Sequence, residues 1–390
     1  PGLSEEDWRY TQLESAKKIA PKILSGSSAD QSMIAPYVLD ASWPRAVFIN
    51  GFFQAGLSQG LDSNAGIKVM SIAEAVRGRE AGVELSLRPQ SKKTRSLTDL
   101  NTALFSDGIY LELSVNACLT QPLQVLSLFS YSEREGTANT RNVIVAMASS
   151  RGAIVQTFAG HEKNAYFAND VTGIFLSEKA ELDHYVLQQG SRNGILTARC
   201  EIGLSASSRY DVSVLSSDTR FFRYETEAVL NGSGSAVSLN GLYLTAGEEF
   251  VDQNVLIEHR APDCESAQIL KGIVDGRSRL VMRGKVHVFP DAQKTAASQT
   301  MRNLLLSPSA VVDAKPELEI YADDVKCSHG TAIGQLEEDS IFYLQSRGIG
   351  AEEARRILTR GFAMEIIEKI KLEPLKRAAE SALNQHFSAV

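Results

Sequence analysis

From about residue 100 to residue 326 the chain offers one short alternating strand after another, with polar or glycine-containing breaks and hardly any sustained 3.6-residue pattern. Ile109 to Val115, Asn142 to Met147, Ala153 to Phe158, Tyr185 to Leu187, Tyr210 to Leu215, Ala236 to Leu244 and Val255 to His259 are examples. More than 200 residues of strand without a helix is too much for one small sandwich. A large barrel, a double sheet or a β-solenoid would hold it. Periodicity leaves that choice open, because no exact repeat of fixed length declares a solenoid.

The flanks read differently. Trp8 to Ile23 predicts a short helix or turn, Gly26 to Ala29 a loop, and Ala46 to Phe53 a hairpin reversing at Asn50-Gly51, a dipeptide that tolerates positive φ. Lys68 to Arg88 fits helix and strand equally. Near the other end, Asp339 to Arg347 makes a short helix that Gly348 can terminate. Ala354, Leu358, Phe362, Ile366 and Ile370, with Ile357 beside them, then draw one apolar stripe along a longer helix. Pro374 opens another, carrying Leu375, Ala379, Ala382 and Leu383. The expected division is a helical or mixed region at 1–99, a β core at 100–333 and a helical domain at 334–390. The last helices need a partner surface, either their own β region or another subunit.

Charge and cysteine usage narrow the class. Forty Lys and Arg against 47 Asp and Glu leave a net charge of −7, which favours no polyanion, so nucleic acid is not an expected partner. The longest apolar run, Val143 to Ala148, is far short of the roughly 20 residues of a spanning helix. The acidic stretch from Pro1 to Arg9 lacks the basic and apolar segments of a secretory signal. Cys118, Cys200, Cys264 and Cys327 stand 82, 64 and 63 residues apart, neither a disulfide framework nor a closed zinc site, so a reducing, cytosol-like compartment is expected.

Common catalytic motifs fail on inspection. Gly284-Lys285 is followed by Val286 in an apparent strand, without the Ser or Thr that holds magnesium in a phosphate loop, so no ATP site is expected in this chain. Asn231-Gly232-Ser233-Gly234 starts like a dinucleotide fingerprint but has Val237 where the third glycine belongs, and reads as a turn. Neither a metalloprotease helix nor a nucleophile elbow occurs.

The dense cluster of reactive groups is Asp323-Asp324-Val325-Lys326-Cys327-Ser328-His329-Gly330. In an extended segment Cys327 and His329 share one side, about 6.6 Å apart. That is too far for direct thiol-to-imidazole proton transfer, but it suits two ligands offered to iron or another soft metal, with the missing ligands supplied from elsewhere. The alternative is a pair that merely caps a turn beside solvated aspartates.

The run from Lys315 to Gly330, continuing into Ile341-Phe342-Tyr343-Leu344 and Ser346-Arg347-Gly348-Ile349, resembles the C-terminal signature of the SufD branch of the SufB/SufD family, components of the SUF iron-sulfur cluster assembly machinery. Gln293-Lys294-Thr295, Gln299, Asn303 to Ser307 and the weaker Glu6 to Thr11 match as well. The resemblance is strong over about 255–370, and the Asp-Asp-Val-Lys-Cys-Ser-His-Gly string separates SufD from SufB. It implies a mainly β protein, a right-handed parallel β-helix between an N-terminal helical or mixed region and a C-terminal helical domain. It also implies a non-catalytic scaffold that pairs with SufB through the β-helix and docks the ATPase SufC on its C-terminal helices. An iron-sulfur cluster would form transiently at the interface with SufB, His329 being this chain's contribution and Cys327 the second ligand. His259 and Cys264 also resemble family positions, although a β-helix corner explains them equally well. Cys118 and Cys200 read as core, and His161, His184 and His287 are scattered. The expected location is the cytoplasm, or the plastid stroma in a plant or alga. The competing readings are a carbohydrate-active β-helix enzyme of secreted type, a SufB-like paralogue, and a homodimeric resting form.

Overall fold

The computed structural model describes residues 8–11, 13, 22–26, 30–62, 66–87, 96–129, 135–160 and 165–388. Most of the Trp8 to Ile23 element, the Gly26 to Ala29 loop at 27–29, and His161 lie outside the described residues.

The strands stack into two columns of parallel ladders. The first holds β1 (Arg45–Ile49), β5 (Leu123–Phe129), β7 (Arg151–Gly160), the first halves of β9 (Glu181–Leu204) and β10 (Arg209–Leu230), β11 (Ala236–Thr245), β13 (Glu265–Val274), β15 (Ala296–Leu305) and β17 (Lys326–Gly334). The second holds β4 (Ile109–Leu113), β6 (Gly136–Ala146), β8 (Tyr166–Leu176), the second halves of β9 and β10, β12 (Phe250–His259), β14 (Arg279–Val288) and β16 (Val311–Ile320). Consecutive strands alternate between columns, so the chain winds as a parallel β-solenoid. Of the three architectures that periodicity allowed, this is the one adopted.

The hidden repeat has a physical cause. Arg209, Ala236, Glu265, Ala296 and Lys326 occupy equivalent places on successive turns, 27, 29, 31 and 30 residues apart. No single period therefore runs through the letters. Geometry repeats instead at one corner, where Ser149, Lys179, Ser207, Gly234, Asp263 and Lys294 all have positive φ. Each donates its backbone N–H to a carbonyl of the next turn, as Lys179 does to Ala206 and Asp263 to Gln293. The residue that follows is short and buried every time: Ser150, Ala180, Ser208, Ser235, Cys264 and Thr295.

The two ends of the solenoid differ. At the first, β1 turns through Asn50 and Gly51, both with positive φ, into β2 (Phe52–Phe53), and β3 (Ile67–Ser71) runs antiparallel to β4, which together close the stack. The stretch that fitted helix and strand equally contains β3 and then helices Ile72–Gly78 and Ala81–Leu87, the first begun by a reciprocal Ser71 and Glu74 cap. At the far end β16 is registered with β14 alone and β17 with β15 alone, so their outer edges have no strand partner among the described residues.

The chain then leaves through helices Glu338–Ser346, Ala351–Ile367 and Glu373–Ser388. The C-terminal part of the apolar stripe read from the sequence, Phe362, Ile366 and Ile370, finds its surface within the chain, whereas Ile357 is 41% exposed. Ala363, Ile366, Ile367, Ile370, Leu375, Ala379 and Leu383 pack on Leu187, Leu215, Leu242, Leu244 and Ile273, the outer face of the first column. Lys271 fastens them: its ammonium donates to the Phe362 carbonyl at 2.9 Å, pairs with Glu365 and lies 4.3 Å from the Phe362 ring centroid.

Candidate functional site

Alternation along β15 buries Ala297, Gln299, Met301 and Asn303 while Ser298 and Arg302 stay exposed, so the odd-numbered residues face the interior. Cys327 is registered with Ala297 and His329 with Gln299, which carries that inward face onto β17. Cys327 is half-buried against the solenoid core, and His329 is exposed because no further turn covers it. The structure thus brings the two sequence-predicted ligands onto one row of one terminal strand. Burial holds the Cys327 thiol above its ordinary pKa, so it is predominantly protonated at neutral pH unless a metal displaces the proton. Among the described residues no group of three or more His, Cys, Asp and Glu is placed to hold a metal ion.

The row beneath His329 changes character toward this end. Leu123, Ile154, His184, Val212, Leu239, Gln268, Gln299 and His329 stand in register through eight strands. Gln268 and Gln299 are each 1% exposed, yet neither carboxamide has a hydrogen-bond partner among the described residues, and the same holds for Asn303. A buried polar group left unpaired costs about 1–3 kcal/mol. Three together lie in the last turns before the uncovered end, whereas the interior polar groups around His184 and Asp170 are hydrogen-bonded to one another. Sequence reasoning noted Gln299 and Asn303 only as matching letters, and their shared burial emerges from the register.

The remaining candidates lie apart from this row's outer end. His259 is fully buried, its Nε2 2.8 Å from Ser266 Oγ, and burial lowers its pKa to about 4. Cys264 is the short residue of the repeating corner, its thiol 3.3 Å from the Gly232 carbonyl. His184 lies between Tyr210 and Gln156 at 2.7 and 2.8 Å, and burial lowers its pKa to about 3. Cys200 is core, as expected, with its thiol pushed up to about 12 by burial. Cys118 is not: it is exposed, at an isolated bridge to Arg151 past the end of β4, where the apolar alternation has stopped. His287 stacks on Phe289 at 4.3 Å and meets Glu319 at 3.3 Å on the outer face of β14.

No helix among the described residues is long and apolar enough to cross a membrane.

Comparison with known proteins gives a consistent result. The family model described as SUF system FeS cluster assembly, SufBD core domain, matches residues 129–362. An iron-sulfur cluster assembly SufBD family protein of Synechocystis sp. is 30% identical over 388 residues, 96% of this chain and 85% of the relative. The iron-sulfur cluster assembly protein SufD of Escherichia coli is 28% identical over 402 residues, 99% and 89% of the two chains. A chloroplastic protein of Arabidopsis thaliana, ABCI7, is 34% identical over 254 residues, 64% of this chain and 53% of the relative.

Proposed function

Because the chain belongs to the SufBD family of iron-sulfur cluster assembly proteins, we propose that it works as a SufD-type scaffold without catalytic chemistry of its own, pairing with SufB through the uncovered end of its solenoid and holding the SufC ATPase on its C-terminal helices. The observation that carries this reading is the placement of His329 and Cys327 on the inward row of a terminal strand whose outer edge has no strand partner among the described residues. A free edge is a template for another chain's strand. Iron and sulfide are cargo: the imidazole and thiolate supply two donors, and a partner meeting the same edge supplies the rest of a cluster's ligands.

The proposed SufC site rests on helix Glu338–Ser346, where Phe342 and Tyr343 are 72% and 57% exposed, unusual for adjacent large aromatic side chains. Nucleotide then binds on SufC, in keeping with the missing phosphate loop. The cytoplasm, or the plastid stroma in a plant or alga, is the proposed location, and one relative is named chloroplastic. The same free edge also favours a homodimer when SufB is absent. The family match supports cluster assembly over the carbohydrate-active reading.

Co-expression with SufB and SufC, followed by co-purification and reconstitution with iron and sulfide, tests the proposal. A stable three-component complex showing cluster absorption is expected. His329→Ala should leave the complex intact and cut cluster yield several-fold; an undiminished yield would remove His329 from the site.

A further inference from the structure

We infer that Asp170 is a proton-operated switch inside the solenoid, its charge state deciding, through a chain of hydrogen bonds across the interior, which nitrogen of His184 carries the ring proton. Every link of that chain is made. Asp170 accepts from Thr140, from Asn142 at 2.8 Å and from Thr172 at 3.1 Å. Gln156 reaches over from the first column, its Nε2 3.0 Å from Thr172 Oγ1 and its Oε1 2.8 Å from His184 Nε2. The Tyr210 hydroxyl lies 2.7 Å from His184 Nδ1 and 3.7 Å from Cys200 Sγ. All these side chains are buried, so each group answers to its neighbour and not to solvent.

An ionised carboxylate only accepts, so Thr172 gives its single hydroxyl proton to Asp170. Its oxygen then accepts from Asn142 Nδ2 at 3.1 Å and from Gln156 Nε2. That leaves Gln156 Oε1 to accept from His184, which carries its proton on Nε2 and accepts at Nδ1 from Tyr210. Cys200 donates to Tyr210 in turn. A protonated Asp170 reverses the order, because its Oδ1–H donates to Thr172. Thr172 now donates to Gln156 Oε1, with the carboxamide turned over, and Gln156 Nε2 donates to His184 Nε2. The ring loses the proton on Nε2, gains one on Nδ1 and donates to Tyr210, whose hydroxyl turns to Cys200 Sγ. The number of hydrogen bonds is unchanged, and one proton is taken up, at Asp170.

Burial outweighs the hydrogen bonds to Asp170 and raises its pKa to about 6, while burial lowers His184 to about 3 and keeps it neutral over the same interval. The other titratable groups around the chain stay protonated there: Cys200 on β9, and Tyr210 and Tyr224 on β10, all pushed up by burial. Arg141 on β6 acts on Asp170 from the outer face, with the paired Arg199 and Glu201 of β9 beyond it. The switch does not depend on the function proposed above.

The test is the tautomer of His184 in the full chain labelled with ¹⁵N-histidine, read from long-range ¹H–¹⁵N correlations between about pH 8 and 5, with His184→Gln identifying the signals. The unaltered protein should carry the proton on Nε2 at the upper end and on Nδ1 at the lower, crossing over at about pH 6. Asp170→Asn, whose amide donates to Thr172 at any pH, should show the Nδ1 proton throughout. Thr172→Val, which cuts the chain, should leave the tautomer indifferent to pH. The buried His259 signal reports whether each variant is folded. One tautomer at both ends of the range in the unaltered protein overturns the inference whatever the variants do. So does a crossover that persists in folded Thr172→Val.

Discussion

The guanidinium of Arg223 lies 3.9 Å from the centroid of the Trp8 ring, tying the beginning of the described chain to the middle of the solenoid. Arg223 is 1% exposed and pairs with Asp252 and Glu225, while Thr11 donates a hydrogen bond to Asp252. Arg199 continues the ladder to Glu201, Glu225 and Glu227. The short Trp8 to Thr11 segment thus covers a row of buried charges on the outer face of the second column.

Trp8→Ala should lower unfolding stability by about 2–4 kcal/mol, since it removes a large packed ring and opens the Arg223 pairs to water. Urea midpoints at constant denaturant slope measure this. An unshifted midpoint would mean that the segment does not hold the ladder closed in solution.

Stability should fall on mild acidification. Burial lowers His184 and His259 to about 3 and about 4, so unfolding takes up a proton at each as the pH drops below the free imidazole value of about 6.5. Asp170 opposes them, because burial outweighs its hydrogen bonds from Thr140, Thr172 and Asn142 and raises it to about 6. Between about pH 6 and 4 these three groups by themselves, two protons taken up against one released, contribute a loss near 1.4 kcal/mol per pH unit. Below that window Glu225 adds to the loss: burial raises its pKa, but Arg223 and Arg199 together hold it down at about 2. Urea titrations across this range check the slope, which His184→Gln should roughly cancel.

Lys271→Ala should loosen the C-terminal helices selectively. It removes a cation held by the Phe362 carbonyl, Glu365 and the Phe362 ring at a nearly dry contact, a loss of about 1–3 kcal/mol. Hydrogen exchange should quicken across 351–388 and stay unchanged in β4 to β8. Equal acceleration everywhere would mean that the helices and solenoid unfold as one unit.

Thiol labelling should follow exposure. Cys118 should alkylate first, Cys327 more slowly, and Cys200 and Cys264 only on unfolding. Mass spectrometry of the native chain against time reads the order. Protection of Cys327, but not Cys118, on adding SufB would support pairing through the free edge.

Much of the architecture was legible, and for identifiable reasons. The strands beginning at Ile109 and Ala236, the hairpin at Asn50-Gly51 and the helix through Ala354 and Ile366 each rest on local period or turn chemistry, and each is present, although Ile357 of the expected stripe is exposed. The solenoid was not legible from period alone, because turns of 27 to 31 residues keep the stack aligned while the letters drift. Resemblance supplied what periodicity could not. Cys327 and His329 were visible as neighbours sharing one side. Their exposure at an unfinished end was not, since it depends on which strands find partners far along the chain. Cys118 shows the opposite failure: apolar neighbours suggested burial, but the strand ends at Leu113.

The free edge of β16 and β17 has one more consequence. Alignment in a parallel stack is copied from one layer to the next, as Leu239, Gln268 and Gln299 each inherit their place from the strand before. A strand added beyond His329 would take its alignment from the same template, so one choice of first contact would set the position of every side chain on the new layer. Accuracy at the junction would be bought once, by the ladder as a whole, and each donor atom would arrive in place without a device of its own.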